Sequence, residues 1–219
     1  MNDTELTSNG HSVASGIRTE PKVVRGKRLF DIVVSAAGLV LLAPFLGLVW
    51  MAIRFTSPGP ALYRGCRVGR GGSDFEILKF RTMWDRPSEQ LTTSLDDPRI
   101  TPVGRHLRHY KLDELPQLVN VLRGDMSIVG PRPEFRRWIE LYTPRELAIL
   151  SVRPGITDFA SVEFIDLDAF VGASNADERY LTEAFARKNG LRLRYVEAMG
   201  WSTDLQVIAR TLARLSRRS

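Results

Sequence analysis

Polar and apolar positions divide the 219-residue chain into three stretches. Residues 1–22 are polar and rich in Ser, Thr, Asn and Gly, the pattern of a flexible tail. A signal peptide does not fit, because the apolar run starts too late and lacks a small-residue cleavage site. From Ile32 to Ile53 no charge interrupts the run IVVSAAGLVLLAPFLGLVWMAI. That matches the roughly 20 apolar residues a membrane-crossing helix needs. Two features set it apart from a simple span. Pro44 sits near its middle, where it removes a helix hydrogen bond and bends the rod. Lys22, Arg25, Lys27 and Arg28 precede it, and Arg54, Arg64, Arg67 and Arg70 follow. A spanning helix carries its Lys/Arg excess on one side. Symmetric basic flanks around a proline predict a re-entrant helix over residues 23–57; a straight span is the alternative. Asp31, at the start of the run, suits a bond to a loop or head group, or a plain helix-end charge.

After Ser57-Pro58-Gly59-Pro60, a helix stop, the periodicity changes. Ala61–Arg64 and Phe75–Phe80 read as strands around a glycine-rich turn at 69–74, hence a β-hairpin. Those glycines read as a plain turn, since no Gly-Lys-Ser/Thr follows and no helix opens after them. Val103–Arg108 predicts a short helix. Asp113–Gly124 predicts another, with Asp113 as N-cap, Pro116 in the first turn and Gly124 as stop. Ser127–Pro133 is extended, Thr143–Leu150 helical, and Arg153-Pro154-Gly155 a break. The final helix, Thr203–Ser216, gathers Leu205, Ile208, Leu212 and Leu215 on one face beside Arg210, Arg214, Arg217 and Arg218. It fits a membrane interface or a helix packed on the domain equally well. The fold class is thus α+β, mostly helical: a tail over 1–22, the membrane helix over 23–57, and one compact domain over 58–219 with a β-hairpin and amphipathic helices.

The formal net charge of +6 suits anionic partners, whether phospholipid, nucleotide or nucleic acid. The arginines are scattered among acids and apolar residues, with no zinc spacing and no helix-turn-helix, so nucleic acid is not the expected partner. A single cysteine, Cys66, excludes an internal disulfide framework and a closed cysteine zinc site. His11, His106 and His109 lack ligand spacing. The chemistry concentrates instead at the acid pair Asp113-Glu114. Close by in sequence stand Lys79, Arg81, Arg99, Arg105, Arg108, Lys111, Arg123 and Arg132. Carboxylates among fixed cations suit phosphoryl transfer: one attacks phosphorus or holds Mg²⁺, and the cations match phosphate oxygens. An Asp-Glu step at a helix start is also an ordinary cap, so the pair alone is weak.

The motifs are more specific. The stretch from Lys111 to Pro133, KLDELPQLVNVLRGDMSIVGPRP, closely resembles the signature of the bacterial sugar transferase family, monotopic phosphoglycosyl transferases. So do Lys27-Arg28-Leu-Phe-Asp31, Arg67-Val-Gly-Arg70, Lys79-Phe-Arg81-Thr-Met83, Asp97-Pro-Arg-Ile-Thr101 and Arg153-Pro-Gly-Ile-Thr157. The resemblance covers most of the chain from Lys27 to Thr157 and thins beyond it. It implies that Asp113 attacks the sugar-bearing phosphate of a UDP-sugar, UMP leaves, and polyprenyl (undecaprenyl) phosphate takes the phosphosugar from the aspartyl intermediate. It implies Glu114 as partner, acting on Mg²⁺ or on a proton, with both carboxylates as metal ligands. Lys79, Arg108 and Arg132 would contact phosphates, and Pro131 and Pro133 would hold Arg132 rigid. It also implies a re-entrant helix kinked at Pro44, although Ala43-Pro44 stands where some members have Ser-Pro. The catalytic domain would sit on the cytoplasmic face of the bacterial inner membrane, at the first membrane step of cell-surface glycan synthesis. The bilayer is then a partner, while the sugar and the oligomeric state, a homo-oligomer included, stay open. Two other readings remain. A conventional UDP-releasing glycosyltransferase would use Asp166-Leu167-Asp168 for metal, and a non-catalytic basic membrane adaptor would need no acid pair.

Overall fold

The computed structural model describes residues 23–84, 91–94, 97–167 and 175–217. The polar tail, His11, Lys22, Asp168 and Arg218 lie outside the described residues. Helix α1 spans Lys27–Thr56 and continues past Pro44. Its apolar surface is mostly uncovered: Val33, Val40, Leu41, Leu48, Trp50, Met51 and Phe55 are all exposed. Such a continuous apolar face is far larger than soluble domains tolerate. A narrow stripe does pack. Asp31, Ser35, Val49 and Ile53 are buried, and the C-terminal turn joins Ala61, Phe80 and Leu107 in one apolar cluster.

The hairpin forms as expected, with longer strands. β1 (Leu62–Val68) and β2 (Asp74–Phe80) pair antiparallel, Leu62 opposite Phe80 and Val68 opposite Asp74. The turn between them holds a short 3₁₀ segment with Gly71 at φ +72°, a conformation glycine adopts without steric cost. On β2, Ile77 and Lys79 share one face by the two-residue period. Ile77 enters a cluster with Val121 and Met126, which leaves Lys79 at the edge of that core.

Helix α2 (Pro102–His109) starts at Thr101, whose hydroxyl accepts from the Gly104 amide at 2.9 Å. The predicted Asp113–Gly124 helix is divided. Leu112–Glu114 form a single 3₁₀ turn, and helix α3 covers only Gln117–Arg123. Asp113 therefore caps nothing. Pro116 has no N–H and stands at the junction, while Gly124 ends α3 at φ +97° as expected. Beyond it, β3 (Ser127–Val129) runs parallel to β4 (Gly155–Thr157). Between them come the short α4 (Arg136–Ile139) and a 3₁₀ segment, Glu146–Ser151, where an α-helix over Thr143–Leu150 was expected. Thr143 and Glu146 exchange side chain–backbone bonds there, a capping box.

The chain ends in helices α5 (Phe159–Glu163), α6 (Ala176–Arg179), α7 (Ala186–Ala198) and α8 (Trp201–Ser216). A wider π turn over Tyr180–Phe185 joins α6 to α7. On α8 the buried residues are Asp204 and Val207, and Ile208 packs with them. Leu205 and Leu212, assigned from the sequence to one face with Ile208, are exposed together with Trp201. The packed face of α8 is thus narrower than its apolar content.

α1 is tied to the domain at both ends. Lys27 pairs with Asp204 at 2.5 Å. Arg28 donates to the carbonyls of Val121 and Leu122 at the end of α3. Asp31 accepts from the Ser127 hydroxyl at 3.1 Å and the Ile128 amide at 3.0 Å. At the far end, Arg81 donates to Ser57 and to the Pro58 carbonyl. That assigns Arg81 to anchoring the helix.

Candidate functional site

A sharp reversal places the acid pair. Lys111 has φ +56°, one of two described non-glycine residues in the left-handed region, a conformation that costs free energy and is held by its surroundings. The turn presents Asp113 and Glu114 to an open cavity of about 1270 Å³ between the hairpin, α3 and the helices that follow β4. Lys79, Arg108 and Arg132 line the same cavity. The five residues singled out in the sequence are thus brought together from four separate segments.

Their contacts differ. Glu114 Oε1 accepts from Lys79 Nζ at 3.3 Å and from Arg132 Nη2. Arg132 is held further by the Ile156 carbonyl at 3.1 Å, and its backbone amide donates to Asp158 at 3.1 Å. Asp158 also accepts from the Ser161 amide and so caps α5. Arg108 lies against the Met83 sulfur at 4.0 Å. Asp113 is 6% exposed, yet its Oδ1 accepts no hydrogen bond. A buried carboxylate oxygen without a donor is costly, and Asp113 lines the cavity, where an incoming group would supply what is missing.

These environments drive the two carboxyls apart. Burial raises Asp113 above its ordinary value, and the Glu114 charge raises it further; Lys79, Arg108 and Lys111 oppose without prevailing. Burial alone would also raise Glu114, but Arg132 and then Lys79 hold it well below the usual carboxylate range. Burial lowers Lys79, with the Glu114 charge opposing. Glu114 is therefore a fixed anion locked between two cations, and Asp113 is the more basic carboxylate.

The sequence reading assigned no role to several residues that build this site. Asn120 on α3 accepts from the Leu78 amide at 2.9 Å and donates to the Glu76 carbonyl at 2.6 Å. It thus fixes β2 on both sides of Ile77 and sets where Lys79 emerges. Its signal was an amide on the apolar face of a short helix. Gly130 and Gly155 bring β3 and β4 within backbone contact. Glu134, Lys188 and Arg192 form a buried charge cluster, invisible in the sequence because 58 residues separate Glu134 from Arg192. Of the other predicted cations, Arg81, Arg99 and Lys111 also line the cavity, with Arg99 paired to Asp97 at 2.6 Å. His106 bonds the Pro102 carbonyl, and His109 meets the Tyr110 ring edge-on.

Magnesium ordinarily takes one or two carboxylates and completes its shell with phosphate and water. Among the described residues no three His, Cys, Asp or Glu side chains gather as a cage. The orphaned Asp113 Oδ1 and the adjoining Glu114 carboxylate fit that open kind of site.

Comparison with known proteins agrees with the motifs. A family model described as "Bacterial sugar transferase" matches residues 22–218. A Caulobacter vibrioides UDP-glucose:undecaprenyl-phosphate glucose-1-phosphate transferase is 39% identical over 194 residues, covering 86% of this chain and 69% of that protein. An Escherichia coli protein of the same name is 41% identical over 145 residues, covering 62% of this chain and only 30% of that protein. An Aeromonas hydrophila UDP-N-acetylgalactosamine-undecaprenyl-phosphate N-acetylgalactosaminephosphotransferase is 41% identical over 143 residues, 62% of this chain and 33% of that protein.

Proposed function

The chain belongs to the bacterial sugar transferase family, and from that premise we propose that it moves a sugar-1-phosphate from a UDP-sugar to polyprenyl phosphate. The observation that carries this reading is the buried, unpaired Asp113 carboxylate beside a Glu114 already neutralised by Lys79 and Arg132. Asp113 attacks the β-phosphorus of the UDP-sugar. The bond from that phosphorus to the bridging oxygen breaks, and UMP leaves with the oxygen. A phosphosugar-aspartyl ester remains. An oxygen of polyprenyl phosphate attacks the same phosphorus, Asp113 is released as carboxylate, and the product is polyprenyl-diphospho-sugar.

Raised basicity makes Asp113 a better nucleophile once ionised. Lys79, Arg108 and Arg132 face the charge that builds on the phosphoryl oxygens, and being fixed they need no rearrangement. Asp113 and Glu114 would hold Mg²⁺, which neutralises diphosphate charge.

The bilayer arrangement follows from α1. Lys27 and Ile53 are about 39 Å apart along a helix rising about 1.5 Å per residue, more than the roughly 30 Å apolar core of a bilayer. Yet both ends rest on the same domain. This supports a helix bent at Pro44 that enters one leaflet and returns to the same face, which a UDP-sugar substrate would make the cytoplasmic one. Trp201, Leu205 and Leu212 of α8, with Arg210 and Arg214, suit the lipid interface. Reporters fused at the two termini would lie on one side of the membrane; opposite sides would sink the arrangement.

The reaction is tested by nucleotide release. Detergent-purified protein is incubated with Mg²⁺, undecaprenyl phosphate and a panel of UDP-sugars beginning with UDP-glucose and UDP-N-acetylgalactosamine. UMP release that requires Asp113 supports the proposal. UDP release would indicate a conventional glycosyltransferase, and an active Asp113→Asn would remove the nucleophile from the scheme.

A further inference from the structure

The cavity has two unlike ends. At one, Leu62 and Phe80 line it and also pack with Val49 and Ile53 of α1. That end adjoins the membrane helix, where a polyprenyl phosphate arrives. At the other, Phe135, Trp138, Phe164 and Tyr180 line it. These four belong to a separate apolar cluster that includes no residue of α1. Tyr180 begins the π turn, a rare irregularity concentrated at functional sites.

Arg67 also lines the cavity, beside the second end. The Val68 amide donates to the Glu134 carbonyl at 3.0 Å, which seats the end of β1 beside residue 135. The guanidinium then lies over the Phe135 ring, 3.4 Å from its centroid. It donates to the Cys66 carbonyl at 2.7 Å. Among the described residues no carboxylate lies within ion-pair distance of it, whereas Lys79 and Arg132 are both committed to Glu114. Burial depresses its basicity, with Tyr63 and Glu134 opposing, although the side chain keeps part of its surface open. An anion entering the cavity would supply what is missing, and a planar guanidinium suits a phosphate.

We propose that Arg67 binds the phosphate of the leaving uridine monophosphate, and that the aromatic end beyond it, walled by Trp138, Phe164 and Tyr180, receives the uracil. The nucleotide would then reach Asp113 along the wall that carries Arg67 and Phe135, apart from the lining residues that pack with α1. The proposal rests on the transfer reading above and assigns a place to the group that reading expels.

The test uses the full chain in detergent. Titration calorimetry compares UMP with uridine on the wild type, Arg67→Gln and Arg67→Lys. The expected result is UMP binding weakened about tenfold or more in Arg67→Gln and by less in Arg67→Lys, which keeps the charge but loses the planar fork. Uridine affinity should be equal in all three, which also verifies that the lobe is folded. Unchanged UMP affinity in Arg67→Gln, or no UMP binding by the wild type, overturns the proposal. Photolabelling of the wild type with 5-azido-UMP locates the base without any variant. Labelled peptides containing Trp138, Phe164 or Tyr180 support it, and labelling confined to Leu62 or Phe80 overturns it. Turnover separates the two levels. Wild-type UMP release with an unaltered KM in Arg67→Gln would sink this placement alone. Absence of UMP release from every UDP-sugar, with UMP still bound, would sink the transfer reading.

Discussion

Gly155→Ala tests whether the site is held by backbone contact rather than by its charges alone. A Cβ on Gly155 would strike the Gly130 nitrogen and oxygen and stand 2.6 Å from the Gly130 Cα. All three atoms are backbone, so no side chain can swing away. Non-bonded carbons rest about 3.5–4 Å apart, so β3 and β4 must part by about 1 Å. Beyond the β3–β4 ladder itself, three hydrogen bonds stitch the two segments: Ser127 N to Pro154 O at 2.8 Å, Gly130 N to Thr157 O at 3.0 Å, and Gly155 N to Pro131 O at 3.0 Å. An added 1 Å takes each beyond bonding range. At about 0.5–1.5 kcal/mol net apiece the loss is about 2–4 kcal/mol, which lowers the unfolding temperature by about 5–15 °C in a chain of this size.

The catalytic effect should be the larger one. Arg132 follows Gly130 by two residues and is braced on the Ile156 carbonyl of β4. Parting the strands moves its guanidinium relative to Glu114, and a misplacement of about 1 Å costs on the order of a hundredfold in rate. The assay is UMP release at saturating UDP-sugar, read beside thermal unfolding in the same detergent. Gly190→Ala is the matched control. Gly190 lies within α7 with nothing inside 4 Å of an added Cβ, so alanine should stabilise by about 0.5–1 kcal/mol and leave kcat alone. Wild-type turnover and melting in Gly155→Ala would refute the claim that this backbone contact sets the position of Arg132.

Asp113→Asn should abolish UMP release while raising stability at neutral pH. Folding raises the Asp113 pKa, so ionising it costs stability as pH climbs from the unfolded to the folded value; melting curves of the two proteins should converge in acid and separate above it. Glu114→Gln removes a charge that raises Asp113 and releases Arg132 and Lys79 to lower it, so the acid limb of the kcat profile should move to lower pH, and a move upward would contradict the electrostatics. Glu134 is held down at about 2, because Arg192 and then Lys188 outweigh its burial. The stability it contributes is present above its unfolded value near 4.5 and disappears as pH falls toward 2; Glu134→Gln should therefore lower the unfolding temperature at pH 7 and flatten its acid dependence. Asp31→Ala leaves the Ser127 hydroxyl and Ile128 amide without their acceptor, a cost of about 1–3 kcal/mol for each buried group, measurable by denaturant unfolding.

The sequence was most legible where a local rule had no competitor. Pro58 and Pro60 end α1, the strand alternation gives the hairpin, and Gly124 stops α3. It misled where tertiary contact overrode local preference. Asp113 has the composition of a helix cap, but the turn at Lys111 carries it into the cavity wall and leaves the helix to start later, at Gln117. The residue that seats α8 on the domain was missed for a related reason. Asp204, an acid, is the buried anchor of that helix, because Lys27 and the Tyr195 hydroxyl both donate to it. No periodicity rule places an ionised group on a packed face.

The adjacency of Asp113 and Glu114 is what allows two roles from one short turn. In an α-helix neighbouring residues diverge by about 100°, and a pair facing one cation cluster would share its field. Here Arg132 and Lys79 reach Glu114 alone, while the oxygen of Asp113 stays without a donor. Glu114, ion-paired but still charged, repels its neighbour, and with burial this keeps Asp113 basic although cations stand near enough to receive a phosphate. Exchanging the two residues would keep composition, charge and motif length and yet put the basic carboxylate in the ion-paired position. The double variant Asp113→Glu, Glu114→Asp should therefore be as inactive in UMP release as Asp113→Asn; turnover within tenfold of the wild type would mean that the turn does not distinguish the two positions.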